Sequence, residues 1–218
     1  MGDVWAIVVA GGSGSRFGDA VPKQFLDLGG LRLIDWALAA AARACNGLVA
    51  VVPAAHLDIT LPGGVTAVAG GPTRSASVRA GLAAVPAGAS VIVVHDAARP
   101  LAEPALFEAV IAAVRAGADG AVPGVAVADT IKRVDPSAGL VLETLDRPAL
   151  RAIQTPQAFA AEALRRAHAE GSDATDDAAL VEAAGGRVVV VEGDPANLKV
   201  TGPADLARAE ALLTRRAR

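Results

Sequence analysis

The sequence predicts an α/β fold, an open and mostly parallel sheet with helices on both faces. Two observations carry that expectation. Short valine-rich runs alternate along the chain with longer segments of helical periodicity. The runs are also almost continuously apolar, as strands buried on both faces must be.

The first run, residues 4–10, ends in the glycine-rich stretch "AGGSGSRFG". Helical periodicity follows at 33–45, then strands at 48–52 and 65–69. Residues 74–85 read as a helix; Thr73 before it either helps to read a base edge or an anion or, equally well, caps the free amides of the first turn. A strand at 91–94 leads to a helix at 104–116 and a strand at 120–127. Helices at 158–170 and 176–184, a strand at 187–192 and a closing helix at 203–216 complete the alternation. Pro203 in "TGP" starts the last helix, where a proline loses no needed hydrogen bond. The segment 129–147 departs from this rhythm. It has two strand-like runs around "DPSAG", a turn signal, and reads as a β-hairpin. Its alternation leaves both faces partly apolar, so it either folds onto its own domain or is covered by a partner subunit. With no repeat or linker, residues 1–218 read as one domain.

The chain has 218 residues, 53% of them apolar, enough for a sizeable core. No run approaches the roughly 18 apolar residues of a membrane span, and the start lacks signal-peptide features. A net charge of −3 and 3% aromatics argue against nucleic-acid binding. Cys45 is the lone cysteine, so no internal disulfide forms and no zinc-type cluster exists. A soluble, cytoplasmic protein is expected. Of the 20 basic residues only Lys23, Lys132 and Lys199 are lysine, a hint that a compact ammonium is wanted at those positions.

Ligands of open α/β sheets sit beyond the carboxyl ends of strands. The first such loop, "AGGSGSRFG", lacks the Gly-Lys pair of a Walker loop, and Phe17 stands where a dinucleotide fingerprint needs glycine. It offers backbone amides together with Arg16 and Lys23, a set suited to a polyphosphate whose charge grows during reaction; a tight turn with solvated cations is the plain alternative. The second loop, "VHDAARP", carries Asp96 and Arg99. The pair either holds ribose, Mg2+ and phosphate, or staples the strand end. His95 reads as packing, and His56 and His168 as surface residues. The third loop, "GGPTRSASV", contains Gly70, Gly71, Arg74 and Ser77 at a helix start, where free amides can read a base edge or an anion. "QTPQAF", "TDDA" and "EGDPANLKVT" follow, the last placing Lys199 after a strand.

These motifs, in this order over nearly the whole chain, resemble the 2-C-methyl-D-erythritol 4-phosphate cytidylyltransferase family. The resemblance implies a Rossmann-like domain of the nucleotide-diphospho-sugar transferase type. A projecting β-arm, here 129–147, would join a homodimer. It implies transfer of a cytidylyl group from CTP to methylerythritol phosphate with release of pyrophosphate, Mg2+ riding mainly on the CTP phosphates with Asp96 as a possible contact. Arg16 and Lys23 fall on the pair that stabilises the transition state, Arg147 and Lys199 on those that position the attacking phosphate. Asp96, Arg99, Thr130 and Thr155 match the acceptor side. Ala10, Gly11, Gly12 and Gly14, with Gly70, Gly71 and Ser77, match the cytidine and triphosphate surroundings, and Arg74 is grouped with the substrate-binding residues. Thr130, Arg147 and Thr155 are expected to act in the neighbouring subunit's site. Ala128 stands where many relatives carry a polar or larger residue, and a fused cyclodiphosphate synthase domain is not expected beyond Arg218. The nearest rival is a CTP:ribitol-5-phosphate cytidylyltransferase; a dinucleotide-dependent oxidoreductase and a non-catalytic nucleotide-binding module are more distant ones.

Overall fold

The computed structural model describes residues 3–11, 22–169 and 171–216. In chain order the elements are β1 (Asp3–Val9), β2 (Asp27–Leu28), β3 (Leu31–Arg32), α1 (Leu33–Ala42), β4 (Gly47–Val52), β5 (Val65–Ala69), α2 (Arg74–Ala84), β6 (Ala89–Asp96) and α3 (Pro104–Arg115). They continue as β7 (Gly120–Ala126), β8 (Lys132–Val134), β9 (Val141–Thr144), β10 (Arg151–Ile153), β11 (Gln157–Ala160), α4 (Ala161–His168), α5 (Asp177–Ala183), β12 (Val188–Glu192) and α6 (Pro203–Arg216). The main sheet runs β5, β4, β1, β6, β11, β7, and β7 also pairs with β10 and β12. β1 is parallel to β4 and β6, β4 to β5, and β7 to β12, whereas β10 and β11 run antiparallel.

The apolar strands are apolar because helices cover both faces. Val4, Ala6 and Val8 of β1 pack with Ile34, Leu38 and Phe107 on the side of α1 and α3. Ile7, one residue out of phase, packs with Val78, Leu82 and Leu164 on the side of α2 and α4. A strand's two-residue period thus feeds two separate apolar layers. The approach of α2 depends on Gly81, where a Cβ would lie 2.5 Å from Ile7 Cγ2. A third cluster, Leu28, Leu33, Leu101, Val200 and Ala209, docks α6 and with it the Lys199 loop, which is tied down by Val200 N donating to Ala98 O at 2.7 Å.

One expected helix starts later than its sequence suggested. Residues 157–160 are not its first turn but the strand β11, wedged between β6 and β7. Ala158 faces one core layer and Phe159 the other, and so short an apolar run carries too few residues to declare its period. The expected strand at 91–94 extends over the whole of β6. β2, β3 and β10, two or three residues each, had no legible pattern.

The segment 129–147 does form a hairpin. β8 and β9 pair in a sheet of their own, around a turn in which Gly139 takes a positive φ of 68°. Leu140, Val141 and Leu142 are 56–63% exposed.

Candidate active site

A cavity of about 390 Å³ opens where β1, β5 and β6 end, lined by Gly11, Lys23, Gly71, Arg74, Ser77, Asp96 and Lys199 among others. Ala10 and Gly11 continue β1 into its floor, Ala10 N donating to Val51 O at 2.7 Å. Gly11, Gly70 and Ser77 meet closely: a Cβ on either glycine would stand 3.0 Å from Ser77 Oγ. Ser77 Oγ accepts from Gly71 N at 3.1 Å and donates to Thr73 O at 3.0 Å, which clips the third loop to the start of α2. Of the two readings of Thr73, the structure shows the cap: its hydroxyl accepts from Ala76 N at 3.1 Å.

A second hollow of about 210 Å³ adjoins the first, lined by Arg99, Gln154, Thr155, Gln157, Thr175 and Asp176. Arg74, Asp96 and Lys199 line both. They form an alternating charge cluster. Lys199 Nζ lies 2.7 Å from Asp96 Oδ2, and Arg74 Nε lies 3.4 Å from Asp96 Oδ1. Burial alone would raise the Asp96 carboxyl pKa, but Arg74 and Lys199 override it and hold it at about 2, so Asp96 is ionised. Arg74 donates through Nη1 to Asp177 Oδ2 at 2.7 Å, and Asp177 Oδ1 lies 2.9 Å from His168 Nε2. Desolvation pulls the Arg74 pKa down, yet its two carboxylates more than offset that and the net shift is upward.

Several expectations change in place. Asp96 and Arg99 do not pair: Arg99 donates instead to Asn197 O at 2.7 Å and Ile153 O at 3.4 Å, so the strand-end staple is absent. Thr155 lines the smaller hollow of its own chain, where Asp96 N donates to Thr155 Oγ1 at 3.0 Å. His168 is not a surface residue; it is 4% exposed and bonded to fully buried Asp177, because the apolar face of α4 turns it inward against α5. Thr130 and Arg147 lie exposed on the hairpin segment, where Arg147 Nη1 donates to Ala128 O at 2.8 Å, and neither lines the two hollows. Gly12, Gly14 and Arg16 fall outside the described residues. Lys23, in the short 3₁₀ turn Lys23–Phe25, lines the larger cavity with its Nζ 3.4 Å from Val200 O.

Sequence reasoning passed over Asn197. Fully buried, it donates through Nδ2 to Thr155 O at 2.9 Å and to Gln154 Oε1 at 3.3 Å, while its carbonyl receives Arg99. It therefore joins the loop of Lys199 to "QTPQAF" and "VHDAARP". Its place inside "DPANLKVT" was the available signal.

Positive groups on loops from distant parts of the chain thus converge on two adjoining hollows, an arrangement suited to bringing two anions together. The sequence model of the family described as "IspD: 2-C-methyl-D-erythritol 4-phosphate cytidylyltransferase" matches residues 4–215. A 2-C-methyl-D-erythritol 4-phosphate cytidylyltransferase of Nocardia farcinica is 47% identical over 223 residues, covering 99% of this chain and 96% of that protein. The protein of the same name from Rhodococcus opacus is 47% identical over 218 residues, covering 97% and 96%. Among solved structures, the 2-C-methyl-D-erythritol 4-phosphate cytidylyltransferase of Thermus thermophilus has a TM-score of 0.81 at 36% identity, covering 98% of this chain and 100% of that one.

Proposed function

The chain belongs to the 2-C-methyl-D-erythritol 4-phosphate cytidylyltransferase family, and on that premise we propose how its two hollows divide the reaction. The larger takes CTP and the smaller takes 2-C-methyl-D-erythritol 4-phosphate. An oxygen of the acceptor's phosphate attacks the α-phosphorus of CTP, forming the new P–O bond as the bond to pyrophosphate breaks. The observation that carries the division is the wall of Arg74, Asp96 and Lys199 common to both hollows, where the two phosphates would meet.

The acceptor phosphate is already ionised at neutral pH, so no general base is needed. The difficulty is repulsion. Lys23, and Arg16 by resemblance, neutralise charge developing on the triphosphate, while Lys199 holds the acceptor phosphate at attacking distance. Positioning of that kind can lower a barrier by roughly 7–11 kcal/mol. Lys199 must leave Asp96 to do so. Its side chain is 42% exposed, so an incoming phosphate can reach it.

The metal expected with CTP fits as a phosphate-held ion. Among the described residues no three His, Cys, Asp or Glu side chains cluster, and Asp96 alone offers a carboxylate to the larger cavity. Mg2+ is commonly held by one or two carboxylates plus substrate phosphates, and supplies charge neutralisation there. Asp96 is the residue that would meet it.

The exposed apolar hairpin supports a homodimer in which Thr130 and Arg147 serve the neighbouring site. No described helix is long and apolar enough to cross a membrane, and we place the enzyme in the cytoplasm. The names carried by the relatives favour methylerythritol phosphate over ribitol 5-phosphate as acceptor. Pyrophosphate release from CTP and Mg2+ with each acceptor tests this: turnover with the first and little with the second is expected, and the reverse order overturns it.

A further inference from the structure

His95 is fully buried at the end of β6, with its ring centroid 5.0 Å from that of Phe107 on α3. Asp96 and Arg99 are the charged groups acting on it. Its Nε2 lies 3.2 Å from Arg99 O, and a carbonyl oxygen can only accept, so the ring proton sits on Nε2. Both nitrogens of this fully buried ring meet uncharged oxygens, Arg99 O and Thr155 Oγ1, so burial favours the uncharged ring. Nδ1 then carries a lone pair, and Thr155 Oγ1, 3.0 Å away, must donate to it. Asp96 N–H donates to the same hydroxyl oxygen at 3.0 Å. A hydroxyl has one proton and two lone pairs. In Thr155 the proton and one lone pair are therefore committed within the protein.

We propose that His95 is a positioning residue for the acceptor hollow: as the neutral Nε2–H tautomer it takes the hydroxyl proton of Thr155, so that Thr155 can only accept a hydrogen bond from substrate. Thr155 then reads a hydroxyl of the polyol and not a phosphate oxygen, which has no proton to give. The same ring fixes the Arg99 carbonyl, and so ties together three residues of one wall. An imidazolium would reverse this, donating from both nitrogens and releasing the Thr155 proton towards the hollow. The inference rests on the acceptor assignment above only for the identity of the hydroxyl.

Two measurements test it. The first is the long-range 15N spectrum of protein labelled at its three histidines, with His95 assigned by His95→Gln or, if that variant does not fold, by the shift that Thr155→Val causes at Nδ1. At pH 7 His95 is expected neutral with its proton on Nε2; a proton on Nδ1, or an imidazolium, overturns the proposal. The second is kinetic. Thr155→Val should raise the KM for methylerythritol phosphate about tenfold and leave that for CTP within about twofold, with Thr155→Ser restoring the acceptor KM. An unchanged acceptor KM in Thr155→Val overturns the reading of Thr155. If the wild-type protein fails to turn over CTP with that acceptor, the assignment of substrates fails by itself, and the nitrogen spectrum still decides the role of His95.

Discussion

Lys199 Nζ rests 2.7 Å from Asp96 Oδ2 on the wall that the two hollows share. The contact joins the loop after β12 to the end of β6, two elements on different parts of the sheet. Asp96 is largely buried and also meets Arg74, so it keeps its charge when Lys199 leaves. Lys199 is the more exposed partner and the one able to move. In the proposed reaction the pair keeps an ammonium at the site until a phosphate replaces the carboxylate.

Replacing either lysine should therefore affect turnover, and differently. Lys23→Ala, and Arg16→Ala beside it, should lower kcat about 100-fold or more, the range seen when a donor to developing charge is removed. Lys199→Arg keeps the charge but not the compact ammonium, and should raise the KM for the acceptor phosphate. Steady-state kinetics with both substrates varied checks all three, and near-normal constants would reject the assigned roles.

Stability should fall with acid in two steps. Between about pH 6.5 and 4 the unfolded chain protonates His95 while the folded chain does not, so folding is fully favoured above 6.5 and loses ground below it. The His95 share is of order 3 kcal/mol, at about 1.4 kcal/mol per pH unit. Asp96 adds a second loss as pH falls from 3.8 to about 2. Urea unfolding at pH 7 and pH 5 should show the first loss in the wild type and a smaller one in His95→Gln. Equal losses would contradict the depressed histidine.

Asp177 is buried between Arg74 and His168, and its removal leaves His168 without its carboxylate and Arg74 with Asp96 alone. Breaking a buried pair from one side costs about 3–5 kcal/mol. In a chain of this size that corresponds to a Tm lower by roughly 10 °C for Asp177→Ala. Calorimetry giving a shift below about 2 °C would show that the network contributes little.

The hairpin predicts a dimer that one charge can break. Leu142 is 56% exposed on β9 and belongs to none of the three core clusters. Leu142→Asp should yield monomers in sedimentation, with the Tm of the domain changed little and turnover reduced because Arg147 no longer reaches a neighbour. A wild-type dimer that survives the substitution would remove the hairpin from the interface.

The sheet was legible because its central strands are buried on both faces and α1, α2, α3 and α6 keep their periodicity over ten residues or more. β11 was not, since "QAFA" is too short to declare a period and lies directly before a true helix. Glycines and cations after strands marked the larger cavity. The links between loops were not legible: nothing local in "VHDAARP" says that Arg99 turns from Asp96 to the carbonyl of Asn197, 98 residues away in sequence. His168 misled for the same reason, its partner Asp177 being hidden in the "TDDA" motif.

The most direct test of the central claim, that separate cations gather two phosphates at the Asp96–Lys199 wall, is a crystal structure with CTP, Mg2+ and the acceptor phosphate bound. The account predicts the triphosphate in the larger cavity beside Lys23, and Lys199 transferred from Asp96 to the acceptor phosphate in the smaller hollow. Lys199 still on Asp96 with both substrates in place, or a triphosphate remote from Lys23, would contradict it.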